Sequence, residues 1–222
     1  MSAGTPLNLA ILISGRGSNM SAIVRACQAG KIAARPAVVI ADRAGAAGLA
    51  RARELGVDTA VLACDPLEAA SFERSLSEAL EAHGAQLIAL AGFMRMLPAA
   101  FVARYLGRLL NVHPSLLPAY RGLHTHRRVL AAGDTEHGAS VHFVTAELDS
   151  GPVVLQSRIA VQPDDSEATL AARVLATEHV IYPRALAWFA AGRLTWQDGA
   201  AWLDGRRLDA PVVEDFRAAT LQ

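Results

Sequence analysis

Apolar and polar residues alternate along this chain in blocks. Residues 7–13 (LNLAILI) are almost wholly apolar and run into Ser14-Gly15-Arg16-Gly17. A strand covered on both faces reads as such an unbroken run, so this stretch predicts a buried parallel strand feeding a glycine loop. A helix is expected next, capped by Ser18 or Asn19, reaching about residue 29 and stopped by Gly30. Further strands are expected at 37–41, 59–62, 87–91 and 109–112. Helices are expected through 51–55, over about 66–83, and from Pro98 to about residue 106. Strands that alternate with helices predict a doubly wound, mostly parallel sheet with right-handed crossovers. After Gly122 the pattern changes. A helix near 125–132 precedes strands at 140–145 and 153–161, with so little chain between them that they pair antiparallel or cross by a loop. Residues 166–190 read as one helix capped by Ser166 or Asp165, with Pro183 expected to kink or break it. Residues 194–208, with a turn at Asp204-Gly205, read as a small hairpin. No repeat, low-complexity segment or linker interrupts the chain, and one domain over 1–222 is expected.

Composition narrows the class. The 222 residues carry 21 Lys plus Arg against 21 Asp plus Glu, a formal net charge of zero. That balance offers no electrostatic case for a nucleic-acid surface. Cys27 and Cys64 stand far apart, form no zinc pattern and no disulfide framework, and suit a reducing, cytoplasmic setting. The start of the chain lacks the charged and apolar regions of a signal peptide. The apolar runs are strand-sized, well short of the ~20 residues of a membrane span.

Candidate chemistry gathers where a doubly wound sheet binds ligands, beyond the carboxyl ends of its strands where their order reverses. The reversal is expected between the first and fourth strands. Loops 15–19 and 92–97 should then face one cleft, beside residues 111–113. In Ser14-Gly15-Arg16-Gly17-Ser18-Asn19, backbone N–H groups at a helix start favour a phosphate, and glycine permits close approach. A plain strand-to-helix turn is the alternative. Met20 stands where a dinucleotide fingerprint has glycine, and no phosphate lysine follows, so a monophosphate suits the loop better than a pyrophosphate; Asp42 keeps a dinucleotide reading open. Asn111 and His113 lie two apart at a strand end and point the same way, an amide donor beside an acid/base. Asp149, in Glu147-Leu148-Asp149-Ser150-Gly151-Pro152, is a candidate partner for His113 or an ordinary turn residue. The remaining histidines, His124, His126, His137 and His142 among them, follow no metal-ligand spacing, and no metal is expected. Ser115 lacks the glycine-flanked elbow of a nucleophile.

Taken in order, several motifs resemble the phosphoribosylglycinamide formyltransferase family, which uses folate. They are Ile13-Ser14-Gly15-Arg16-Gly17-Ser18-Asn19, Ala91-Gly92-Phe93-Met94-Arg95-Met96-Leu97, Asn111 through Pro118, Gly122-Leu123-His124-Thr125-His126, Glu136-His137-Gly138-Ala139-Ser140-Val141-His142-Phe143-Val144 and Leu148-Asp149-Ser150-Gly151-Pro152. The likeness continues to Trp202-Leu203-Asp204-Gly205. It implies a Rossmann-like formyltransferase fold: a mostly parallel twisted sheet flanked by helices, with an antiparallel edge and a small C-terminal hairpin. A nucleotide-binding half would span about 1–100 and a folate and catalytic half about 101–222. The implied reaction moves a formyl group from 10-formyltetrahydrofolate to the amine of phosphoribosylglycinamide in purine synthesis. Gly17, Ser18, Asn19 and Glu178 would hold the ribonucleotide. Met94, Arg95, Met96, Leu97 and Asn111 would hold the folate. Asn111, His113 and Asp149 match the catalytic positions. The expected partners are these small molecules, with no nucleic acid and no membrane, and the expected state is a monomer or weak homodimer. Residues 66–72 contain no arginine where the family often carries one near the folate tail, and Arg121 stands where many members have proline or lysine. Formyltetrahydrofolate hydrolases, which add an N-terminal domain, and methionyl-tRNA formyltransferases, which add a C-terminal one, share the core and are the alternative readings within the family; neither added domain is expected here. A non-catalytic or redox nucleotide-binding module using the glycine loop and Asp42 is the reading from outside the family.

Overall fold

The computed structural model describes residues 5–63 and 69–218. The expected helix start at Pro66, the 66–68 part of the arginine-free stretch, and Cys64 lie outside the described residues. Strand β1 (Leu7–Ile13) is buried from Leu9 onward. Its odd residues Leu9, Ile11 and Ile13 enter one core; Ala10 and Leu12 enter the other. That alternation is the two-residue period of a strand covered on both faces. Along one side of β1 run β2 (Ala34–Ala41) and β3 (Thr59–Val61); along the other run β4 (Leu87–Leu90) and β5 (Leu109–His113), all parallel. Strand order therefore reverses between β1 and β4, as the sequence pattern implied.

Beyond β5 the sheet turns antiparallel. β6 (Glu136–Phe143) pairs with β5, and β7 (Val153–Ala160) with β6. The edge itself is β11 (Val212–Asp215), parallel to β7. β6 alone thus runs against the other strands, two strands in from this edge, and the last strand had no signature in the sequence. Its two-residue alternation is short and partly exposed, which gives periodicity little to report. The expected hairpin is a three-stranded meander of β8 (Leu194–Gln197), β9 (Ala200–Leu203) and β10 (Arg206–Arg207). Two Asp-Gly turns join it, Asp198-Gly199 and Asp204-Gly205, with positive φ at all four residues. That is the twist-matched two-residue hairpin geometry.

Helices α1 (Ser18–Gln28) and α2 (Gly48–Glu54) pack on one face of the sheet; α3 (Ala69–Ala82) and α4 (Ala99–Arg104) on the other. Helix α5 (Thr125–Ala132) follows β5. The long α6 (Glu167–Ala190) opens with Ser166 and Thr169 capping one another's backbone. It runs through Pro183 without a break. Packing along its length against α1, β6 and β7 holds it together, because tertiary burial outweighs one missing backbone bond. Tyr182, fully buried, donates its hydroxyl hydrogen between the carbonyls of Leu110 (2.8 Å) and Leu90 (3.1 Å). This ties α6 to the carboxyl end of β4 and the start of β5. No helix among the described residues is long and apolar enough to cross a membrane.

Candidate active site

The carboxyl end of β1 organises both loops at the switch point. Ser14 N donates to the Gly92 carbonyl at 3.1 Å, while Ser14 Oγ accepts from Met94 N at 2.9 Å and donates to Asp42 Oδ2 at 2.9 Å. Asp42 is thereby tied to the loop through one carboxylate oxygen, while Oδ1 has no partner among the described residues. The Met94 N–H is already engaged within the protein. The side chains of Met94 and Met96 stand 70% and 69% exposed, apolar groups left uncovered at the cavity wall. Arg95 lies over the Phe72 ring, 4.7 Å from its centre.

Helix α1 begins without a side-chain cap. Its N-cap is Gly17 with φ 70°, not Ser18 or Asn19. A side chain at Gly17 would be strained by that φ and would press on the Gly48 backbone, its Cβ 2.9 Å from Gly48 Cα. Gly48 N also donates to the Gly15 carbonyl at 3.0 Å. The close approach of two glycines seats α2 against the loop. Asn19, instead of capping, donates Nδ2 to Glu178 Oε2 of α6 at 2.6 Å, both side chains being buried. Burial pushes the Glu178 carboxyl up to about 7, and the Asn19 bond offsets only part of that rise.

At the other end, β5 presents Asn111 and His113 on one face, as the two-residue spacing required. A cavity of about 570 Å³ opens over them, bounded by loop 92–97 and by the Gly122 and Asp149 loops. The His113 ring is buried between two acceptors: Nε2 lies 2.9 Å from the Tyr120 carbonyl and Nδ1 lies 3.3 Å from Asp149 Oδ2. Both are satisfied when both nitrogens carry protons. Asp149 Oδ2 also accepts from Gly122 N at 2.9 Å. Asp149, Tyr120 and His124 all hold left-handed backbone, with φ of 49°, 57° and 59°. Strain of this sort persists where the surroundings enforce it. Here Gly151 helps, since a Cβ there would overlap the Phe143 carbonyl and push the Asp149 loop off β6.

His142 was no candidate in the sequence. The β5–β6 register puts it opposite Asn111. Its Nδ1 lies 2.8 Å from the Phe143 carbonyl, which can only accept, so Nδ1 carries the proton. Burial holds the ring neutral, leaving Nε2 to accept from Asn111 Nδ2 at 3.2 Å. This orients the Asn111 amide. His126 pairs with buried His137 at 3.0 Å, and burial lowers His137 to about 4. Among the described residues no three His, Cys, Asp or Glu side chains are grouped as metal ligands.

The structure therefore brings Asn111, His113, Asp149 and the 94–97 loop around one cavity. It sets Gly17, Ser18, Asn19 and Glu178 together at a neighbouring position, outside the lining of that cavity. Sequence reasoning missed Ser14 and His142 because both act through partners far along the chain; His142 did stand within a quoted motif, two residues from Ser140.

A loop-and-strand site of this form on a doubly wound sheet defines a class. Residues 7–186 match the model of the formyl transferase family, and the chain belongs to that family. It is 50% identical over 203 residues to the phosphoribosylglycinamide formyltransferase of Escherichia coli (strain K12), covering 91% of this chain and 96% of that one. It is 42% identical over 201 residues to the enzyme of that name from Haemophilus influenzae, covering 90% of this chain and 95% of the relative. Among solved structures, the phosphoribosylglycinamide formyltransferase of Coxiella burnetii superposes with a TM-score of 0.89 at 47% identity, covering 94% of this chain and 99% of that one.

Proposed function

We propose that this enzyme transfers the formyl group of 10-formyltetrahydrofolate to the amine of phosphoribosylglycinamide, yielding the formylated ribonucleotide and tetrahydrofolate in de novo purine synthesis. The observation that carries the reading is the Asn111, His113 and Asp149 cluster at the floor of the 570 Å³ cavity, in a chain of this family. Folate occupies that cavity, its pterin against residues 94–97, with Arg95 to Leu97 supplying backbone groups. The ribonucleotide phosphate sits on the uncapped start of α1 at Gly17, Ser18 and Asn19, with Glu178 contacting the same substrate.

The neutral substrate amine attacks the formyl carbon. A C–N bond forms and the carbonyl π pair moves to oxygen. The Asn111 N–H not given to His142 is free to meet that oxyanion, and the His113 ring, both N–H groups held by Asp149 and the Tyr120 carbonyl, lends positive charge beside it. Donors of this kind are each worth roughly 10²–10³ in rate. Asp149 keeps the ring oriented and relays the amine proton toward the departing folate nitrogen through water. The C–N bond to folate then breaks as the carbonyl re-forms. No covalent intermediate with the protein is needed.

The reading extends to a cytoplasmic enzyme acting as a monomer or weak homodimer on small molecules alone, with no metal. The balanced formal charge supports the lack of a nucleic-acid partner. The test offers phosphoribosylglycinamide, water and methionyl-tRNA separately as acceptors with 10-formyltetrahydrofolate. Rapid transfer to the first alone is expected; faster turnover with either of the others would overturn the reading.

A further inference from the structure

A second cavity, of about 290 Å³, lies beside the glycine loop and is lined by Arg16, Ser18, Ala47, Arg51 and Leu175. Most arginines of this protein are paired: Arg43 to the Ser14 carbonyl, Arg53 to Thr59, Arg173 to Asp165, Arg193 to Asp204. The side chains of Arg16 and Arg51 have no hydrogen-bond or ion-pair partner among the described residues, and no carboxylate lines the space between them. They come from different elements. Arg16 is carried by the loop itself. Arg51 stands on α2, one turn beyond Gly48, and the Gly17–Gly48 contact brings that helix over the loop. Ala47 and Leu175 contribute apolar walls. Ser18, the first residue of the uncapped α1, sits in the same lining.

Two like charges converging without a counter-ion repel one another, and the space between them favours an anion. A guanidinium pair suits a phosphate monoester, which carries about −1.5 to −2 at pH 7 and presents oxygens to bidentate donors. We infer that Arg16 and Arg51 form a cationic clamp on the phosphate of the acceptor substrate, alongside the backbone amides of the glycine loop. The inference rests on the reading that this loop holds the phosphate. It adds side-chain charge to a site otherwise made of backbone dipoles, and it makes these two exposed arginines determinants of acceptor affinity. Being exposed, the clamp weakens with salt.

The test uses Arg16→Gln, Arg51→Gln and the double variant, none of which alters a buried contact, with Arg51→Lys as the charge-conserving control. Each Gln variant is expected to raise the acceptor KM about tenfold and the double variant more than either, with the folate KM unmoved. The fall of acceptor kcat/KM with added salt should be shallower in the double variant. Arg51→Lys should recover part of the loss. Ribose 5-phosphate is the direct probe, titrated while the Ser18 and Asn19 amide resonances are followed by NMR. Those amides should shift in both proteins, with a Kd at least tenfold weaker in the double variant. Shifts with the same Kd in both would overturn the clamp and leave the loop reading standing. Amides that stay still in the unsubstituted protein would overturn both. Equal rises in both KM values would mark general damage and also overturn the clamp.

Discussion

The glycine-loop end and the His113 end of the switch point are built on opposite plans. On the reading proposed above, recognition at the loop relies on backbone: an uncapped helix start and two glycines in close approach, with unpaired arginines at the rim. At β5 it relies on buried side chains that hold one another, Asn111 by His142 and His113 by Asp149 and the Tyr120 carbonyl. Three non-glycine residues there keep left-handed backbone, which costs of order 1–3 kcal/mol each. A site that only binds a charged group can rest on dipoles and mobile cations. A site that must stabilise charge arising in a transition state needs donors already in place. The contrast predicts that substitutions at the His113 end will damage turnover and those at the loop will damage binding and stability.

The largest effect should come from the His113 end. Asp149→Asn keeps the side chain's shape and removes its charge, and kcat should fall at least ~10²-fold with little change in either KM. His113→Ala should cost a similar factor, and the double variant little more than the worse single one. Steady-state kinetics of the full cycle decide this; additive losses would leave Asp149 as a turn residue and erase the contrast.

The two ends should also titrate in opposite directions. The Glu178 carboxyl, raised by burial to about 7, contributes stability that is complete below its ordinary value near 4.5 and lost as pH rises through 7. His137, lowered by burial to about 4, contributes stability present above 6.5 and lost as pH falls through 4. Each shift corresponds to about 3 kcal/mol across its window. Urea midpoints measured from pH 4 to 8 should show Glu178→Gln flattening the upper limb only. A variant curve parallel to the parent's would mean that Glu178 is already ionised in the folded protein.

Gly17→Ala comes next. The positive φ and the pressed Gly48 backbone should cost about 2 kcal/mol and raise the acceptor KM, with kcat nearly kept. A kcat loss as large as that of Asp149→Asn would show the two ends to be one unit. Smallest is Ser166→Ala, which removes the cap of the helix carrying Leu175 and Glu178. It should lower unfolding free energy by about 1 kcal/mol in denaturant titration and leave turnover in place.

Much of this architecture is readable without coordinates, because the forces behind it are local. The unbroken apolar run at residues 7–13 and the glycine after it specify a buried strand and a helix start. Helices 125–132 and 166–190 show in the sequence, the second with its cap at Ser166, and Asp204-Gly205 carries its own turn geometry. The order of motifs sufficed to recognise the family and to nominate Asn111, His113 and Asp149. Other features depend on what distant segments meet, and a one-residue slip in pairing reverses every side chain on a strand. Only the β5–β6 register sets His142 against Asn111. Only the packing of α2 through Gly48 carries Arg51 to Arg16. Only the folded edge of β7 recruits β11, and only the depth of the core turns Glu178 from an ordinary helix carboxylate into one raised to about 7. Local sequence sets which element forms; burial and register, which sum over the whole chain, set which side chains face one another and in what state of charge.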